Sequence, residues 1–193
     1  MEKEFWENRW ETGQTGWDIG TVSAPIKEYI DQLNNKAIKV LVPGCGNAYE
    51  AEYLWEKGFK NTFIVEIAKG AIDSFRKRYP NFPEDQILHE DFFNLSKNAH
   101  QFDLIIEQTF FCAIHPSRRS EYASKMNDLI KPGGKLIGLL FDFPLESGPP
   151  FGGHKDEYIE YFDSYFKIKT LERAKNSIEP RAGREFFMIL ERR

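Results

Sequence analysis

The chain has 193 residues, 41% of them hydrophobic and 29% charged, a balance that predicts one compact, water-soluble domain over residues 1–193 and excludes a small disulfide-stapled scaffold. Its two cysteines, Cys45 and Cys112, have neither the close pairing nor the histidine company of a zinc site, so both are expected as reduced thiols and no metal is expected. With 26 Lys and Arg against 30 Asp and Glu, the net charge of −4 exerts no general pull toward a phosphate backbone or an anionic bilayer, which argues against nucleic-acid and membrane partners.

Met1-Glu2-Lys3-Glu4 lacks a basic region followed by an apolar stretch, and the longest apolar run is six residues, Leu136 to Phe141, so a cytoplasmic, unprocessed chain is expected. Aromatic residues make up 15% of the chain, and three of its four tryptophans stand in the first seventeen positions. Residues 2–10 are predicted helical, 13–20 irregular, and 24–33 a second helix opened by Ser23 and Pro25. The β-branched run 38–42 is a strand closed by Pro43-Gly44, and the helix-forming stretch 50–57 stops at Gly58. Residues 62–65 repeat the strand signal, and 68–79 follow as an amphipathic helix ended by Pro80. Ile87 and Leu88 start a weaker strand and 102–106 form a stronger one. Residues 119–130 read as a helix that ends before the turn Lys131-Pro132-Gly133-Gly134. Residues 135–141 are apolar on both faces, as in a strand covered by helices on two sides. A short helix near 156–162 then precedes two strand-like runs, 165–171 and 185–191, with no long helix between them. This alternation predicts a doubly wound α/β fold: a mostly parallel, seven-stranded, Rossmann-like sheet with an antiparallel C-terminal hairpin strand. The first thirty-five residues lie outside the alternation and pack on it as an N-terminal helical lid.

Doubly wound sheets bind ligands at the carboxyl ends of their strands. The first such end reads Val42-Pro43-Gly44-Cys45-Gly46-Asn47-Ala48, where Gly44 and Gly46 permit positive φ and a close approach of the backbone to a ligand. The second ends in Glu66, twenty residues beyond Gly46, the spacing at which an acidic side chain accepts both hydroxyls of a ribose. The third supplies Asp91-Phe92-Phe93, an acceptor for the exocyclic amine of adenine beside a ring that can stack on the base. A dinucleotide site would require a third glycine to cradle a pyrophosphate, and Tyr49 stands in its place. S-adenosylmethionine, which has no phosphate, fits better.

These residues resemble the class I S-adenosylmethionine-dependent methyltransferases, and within them the thiopurine S-methyltransferase and halide/thiol methyltransferase group. The resemblance covers nearly the whole chain. Its marks are Trp6-Glu7-Asn8-Arg9-Trp10, Thr15-Gly16-Trp17-Asp18, the glycine turn, Asp91-Phe92-Phe93, Thr109-Phe110-Phe111-Cys112-Ala113-Ile114, Lys131-Pro132-Gly133-Gly134 and Gly148-Pro149-Pro150-Phe151. It implies a methyl transfer from S-adenosylmethionine to a small nucleophile: a thiol or bisulfide, a halide, or a thiopurine sulfur. It further implies that Trp6, Trp10 and Trp17 cap the cofactor, that Gly44 approaches its methionine part, and that Glu66 takes the ribose. Asp91 and Phe92 would hold adenine, and Glu107 and Gln108 would lie beside the methionyl end. In this sequence Glu66 stands where Asp is common, and Glu107-Gln108 replaces what in plant members looks like Asp-Tyr.

A dry pocket suits such a transfer, because an anionic nucleophile and a cationic sulfur combine into neutral products. Aromatic faces exclude water and attract the sulfonium by about 0.5–2 kcal/mol per contact. Phe110 and Phe111 are candidate walls, and Arg119, just past them, is a candidate for attracting an anionic substrate. Other motifs fail on inspection: position 129 is Leu where a phosphate-binding loop ending at Lys135 needs its first glycine, and His89, His100, His115 and His154 show no metal spacing. The expected partner is a small molecule, and a monomer is compatible with the sequence. Two alternatives stand beside the methyltransferase: a nicotinamide-binding oxidoreductase and a non-catalytic S-adenosylmethionine-binding module.

Overall fold

A computed structural model of the protein describes residues 3–193. One seven-stranded sheet runs in the order β3-β2-β1-β4-β5-β7-β6. Its strands are β1 (Val40–Pro43), β2 (Thr62–Val65), β3 (Ile87–Leu88), β4 (Phe102–Gln108), β5 (Ile130–Phe141), β6 (Phe166–Arg173) and β7 (Glu185–Arg192). Pairing is parallel from β3 through β5, and β7 is antiparallel to both β5 and β6. The final strand thus enters between β5 and β6 as the expected hairpin. The helices are α1 (Lys3–Glu11), α2 (Ala24–Asp31), α3 (Tyr49–Glu56), α4 (Lys69–Arg78), α5 (Arg119–Leu129) and α6 (Lys155–Phe162). None of them is long and apolar enough to cross a membrane among the described residues. The sequence starts α1 at Glu2, which lies outside the described residues.

Two apolar layers hold the sheet. On one face Val40, Val42, Ile64, Leu104 and Ile106 meet Ile26 and Ile30 of α2, Leu54 of α3, and Ile72 and Phe75 of α4. On the other, Leu41, Val65 and Ile105 meet Tyr122 and Met126 of α5 and Tyr158 and Phe162 of α6. Alternate residues of β1 supply both layers, as the period of a strand covered on two sides requires.

One predicted connection is different. The turn expected at 131–134 is drawn into β5: Ile130 already pairs with Phe102, and pairing resumes with Lys135 opposite Leu104. The intervening residues loop out opposite Asp103, where Lys131 Nζ sits 2.8 Å from Asp103 Oδ1 and Gly133 takes φ +74°. That ion pair and the positive φ let the chain pass from helix to strand without a separate turn.

Candidate active site

The carboxyl ends of β1 to β5, the N-terminal segment and the β6–β7 connection enclose a cavity of about 500 Å³, within the range of small-molecule sites. Its floor is the turn after β1. Gly44 and Gly46 take φ of +54° and +52°, which only glycine adopts without strain. Gly44 N donates to Val65 O at 2.8 Å and carries the β1–β2 pairing one residue further. A Cβ on Gly44 would stand 2.1 Å from Phe110 Cδ2. The side-chain direction of this glycine is therefore filled by Phe110, while Gly44 itself lines the cavity. A Cβ on Gly46 would meet Trp10 at 3.6 Å, so Gly46 lies beside the N-terminal tryptophans.

Glu66 closes β2 and lines the cavity. Its Oε2 accepts from Gly46 N at 2.9 Å, and its Oε1 accepts from Ile67 N at 2.8 Å and Ala68 N at 3.0 Å. Burial pushes its carboxyl above the usual range against the pull of those amides. A second carboxylate, Glu50 in the first turn of α3, also lines the cavity, accepts from Ser23 N at 3.3 Å, and is pushed up by burial. Sequence reasoning did not single out Glu50, although it stands four residues past Gly46 on the helix that the glycine turn introduces.

The N-terminal segment packs as an aromatic cluster. Trp6 and Trp17 meet edge to face with ring centroids 5.5 Å apart, and Trp10 meets Trp17 at 6.2 Å. All three line the cavity. The segment is fastened at several points: Glu7 Oε1 accepts from Lys69 N at 2.9 Å at the start of α4, and Asp18 Oδ2 accepts from Asn47 Nδ2 at 2.5 Å and Tyr49 Oη at 3.3 Å. The carboxylate of Glu7 thus serves a free amide at a helix N-terminus. Arg181, in the β6–β7 connection, donates through Nη2 to Trp17 O at 2.8 Å.

After β3, Asp91 Oδ1 accepts from Phe93 N at 2.9 Å, and both Asp91 and Phe92 line the cavity. Phe92 packs against Phe110 with centroids 5.3 Å apart. After β4 the predicted pair divides. Gln108 lines the cavity, and its Oε1 is buried without a hydrogen-bond donor among the described residues. Glu107 does not line it: alternation along β4 turns its side chain, with that of Ile105, toward α5. Its Oε1 accepts from Phe110 N at 2.7 Å and Phe111 N at 2.9 Å, and its Oε2 accepts from Tyr122 Oη. Burial pushes the Glu107 carboxyl up to about 7.

Two further expectations are corrected. Phe111 is not a cavity wall; successive residues of a tight turn point apart, and its ring is buried 5.0 Å from Tyr122 and 5.6 Å from Tyr158. Arg119 is fully buried, with Nη1 2.7 Å from Glu157 Oε1 and Nη2 donating to Gly152 O at 2.7 Å, so it braces α5 against α6 and offers nothing to a substrate. Its neighbour Arg118 reaches the cavity instead, over the Phe93 ring at 3.6 Å. Arg181 and Arg184 also line it and were not singled out from the sequence, because their place depends on where β7 joins the sheet. Arg181 Nη1 is buried 3.6 Å from Glu185 Oε1 without a hydrogen-bond partner among the described residues.

The strand order and the site at its carboxyl edge define a Rossmann-like methyltransferase fold. The chain is similar at a TM-score of 0.79 and 16% identity to the 1,6-didemethyltoxoflavin-N1-methyltransferase of Burkholderia thailandensis, over 98% of this chain and 86% of that one. It is 33% identical over 185 residues to a probable thiol methyltransferase 2 of Arabidopsis thaliana, spanning 93% of this chain and 81% of that protein. To thiocyanate methyltransferase 1 of Brassica oleracea it is 31% identical over 192 residues, spanning 96% and 83%. Residues 1–189 match the family described as Thiopurine S-methyltransferase (TPMT). The chain belongs to the thiopurine S-methyltransferase family, and this sets aside the nicotinamide-dependent oxidoreductase.

The family's cofactor is S-adenosylmethionine. The residues fit it: the carboxylates of Glu50 and Glu66 at the β1–β2 end favour a cation and disfavour a pyrophosphate, and Gln108 Oε1, buried with no donor among the described residues, can accept a hydrogen bond from an ammonium.

Proposed function

We propose that the protein transfers the methyl group of S-adenosylmethionine to a small sulfur anion, a thiolate or bisulfide in the first place. The observation that carries this reading is one cavity walled by Trp6, Trp10, Trp17 and Phe110 and lined both by the carboxylates of Glu50 and Glu66 and by the guanidinium groups of Arg181 and Arg184, so that a cationic sulfur and an anionic acceptor each find opposite charge. The relatives named for thiol and thiocyanate methylation support the same class of acceptor.

When bound, the cofactor supplies a methyl group on a cationic sulfur. Glu66 accepts from a ribose hydroxyl with the one lone pair, on Oε2, that its three amide contacts leave, and Asp91 with Phe92 receives adenine. Gln108 Oε1 accepts a hydrogen bond from the methionyl ammonium. Trp6, Trp10, Trp17 and Phe110 exclude water from an anion that loses its charge during transfer, so they raise the rate by removing solvation that would hold the reactants apart. Arg181 and Arg184 favour the ionised acceptor: a free thiol has a pKa of about 8.5, and a nearby guanidinium enlarges its thiolate fraction at neutral pH. Alignment and dehydration then supply most of the rate.

The test is formation of S-adenosylhomocysteine with bisulfide, small thiols, thiocyanate, iodide and a thiopurine. Turnover with a sulfur anion is expected. Binding of the cofactor without turnover of any of these acceptors would overturn the reading and leave a binding module.

A further inference from the structure

We propose that Glu107 is a positioning residue for methyl transfer, holding the Phe110 wall of the cavity in place through the amides of Phe110 and Phe111 while Tyr122 holds Glu107. The role in transfer rests on the reading of the site given above; the brace itself rests on geometry alone.

Glu107 is fully buried, and its hydrogen-bond partners are three neutral donors: two backbone amides, at 2.7 and 2.9 Å, and the hydroxyl of Tyr122. No Lys or Arg forms an ion pair with it among the described residues. A carboxylate so placed is costly, and a position that only had to fill the layer would carry an apolar side chain, as Ile105 does two residues earlier on the same face. Gly138, its partner on β5, lets the backbone at Glu107 come close: a Cβ there would stand 2.0 Å from Glu107 O and 2.6 Å from Glu107 Cβ.

The carboxylate has work to do in the turn that follows. Thr109 lies between Glu107 and Phe110 at φ +57°, a left-handed conformation that a β-branched residue adopts only at a cost. Two amide bonds to Glu107 Oε1 fix the chain just past that residue. Phe110 then reaches the space left open by Gly44 and packs on Phe92. Tyr122, Glu107, Phe110 and Gly44 therefore form one continuous chain of contacts from α5 to the cavity floor.

The titratable groups facing Glu107 are Tyr122 from α5 and Cys112 from the turn. Burial pushes both up, so they stay neutral through neutral pH, and Arg119, which also packs on Phe111, is engaged with Glu157. Glu107, pushed up to about 7, is the member of this group whose charge changes near neutrality. Ionised, it accepts all three hydrogen bonds; protonated, it must donate one and loses their charge assistance.

Two measurements on the full chain test this. In the first, the amide proton shifts of Phe110 and Phe111 are followed by NMR from pH 5.5 to 9, and both are expected to titrate together with a midpoint near 7 in the parent and to be flat in Glu107→Gln. Amides that do not titrate in the parent would overturn the brace. In the second, kcat and KM for thiocyanate, whose charge is fixed over this range, are measured against pH. The parent's kcat is expected to fall on the acid side, with the limb moved upward in Tyr122→Phe and absent in Glu107→Gln. Glu107→Gln is expected to lower kcat by about tenfold at pH 8, about 1.4 kcal/mol, with KM and S-adenosylhomocysteine affinity within about threefold. Equal kcat and equal pH profiles for parent and variant would overturn the positioning role. Amides that titrate in a parent inactive toward every acceptor would overturn the role in transfer together with the reading it rests on, and uphold the brace.

Discussion

The ring of Phe110 occupies the place where a side chain on Gly44 would begin, with Cδ2 2.1 Å from the position of a Cβ. Gly44→Ala must displace the ring and also hold φ +54°, whereas Gly46→Ala, at φ +52°, bears only the conformational cost. Destabilisation of about 2–4 kcal/mol is expected for the first and about 1 kcal/mol for the second. Urea unfolding of the two variants measures the difference; equal losses would contradict the steric role of Gly44.

Trp10→Ala is expected to weaken S-adenosylhomocysteine binding while leaving the fold nearly unchanged, because α1 contributes no buried residue to either core layer. Calorimetric titration of the variant checks this. Unchanged affinity would contradict the lid.

Glu66→Ala is expected to lower affinity for S-adenosylhomocysteine at least tenfold, about 1.4 kcal/mol, through loss of a charge-assisted hydrogen bond to the ribose. The same change leaves the amides of Gly46, Ile67 and Ala68 without their acceptor, so unfolding is measured alongside binding. Equal affinity in variant and parent would contradict the ribose role.

The Glu107 carboxyl also makes a stability prediction with a definite sign. Its folded pKa, about 7, lies above the ordinary 4.5, so the stability it contributes is complete below 4.5 and is lost as pH rises through 7. The stability of Glu107→Gln relative to the parent is therefore expected to rise between about pH 5 and 7 and to level off above, by an amount on the order of 3 kcal/mol at most. Glu50, Glu66 and Glu185 are shifted the same way by burial, and the difference between parent and variant removes their contribution. A difference that does not change with pH would contradict the burial of this charge.

The strand order and the β1–β2–β3 half of the site were legible because successive strand ends fall on one edge of a doubly wound sheet. Gly46 and Asp91 could be placed there from the strand ends they follow, and Glu66 also from its spacing of twenty residues to Gly46. The β4 end was harder to read. After Asp103, residues 104–106 are apolar on both faces, so the alternation that separates Glu107 from Gln108 carries no polar signal until the strand is nearly over. Arg119 was misplaced because its partner, Glu157, lies 38 residues further along the chain, and nothing local distinguishes a buried arginine from an exposed one at a helix start. Arg181 and Arg184 depend on β7 entering between β5 and β6, a property of the assembled sheet.

The central claim, that sulfur receives the methyl group, is tested most directly by locating the label after turnover with methyl-labelled S-adenosylmethionine and a small thiol. A methyl thioether carrying the label, formed in step with S-adenosylhomocysteine and more slowly by an Arg181→Met, Arg184→Met double variant, is the result expected. Label found on nitrogen, oxygen or carbon, or S-adenosylhomocysteine released without a methylated thiol, would contradict it.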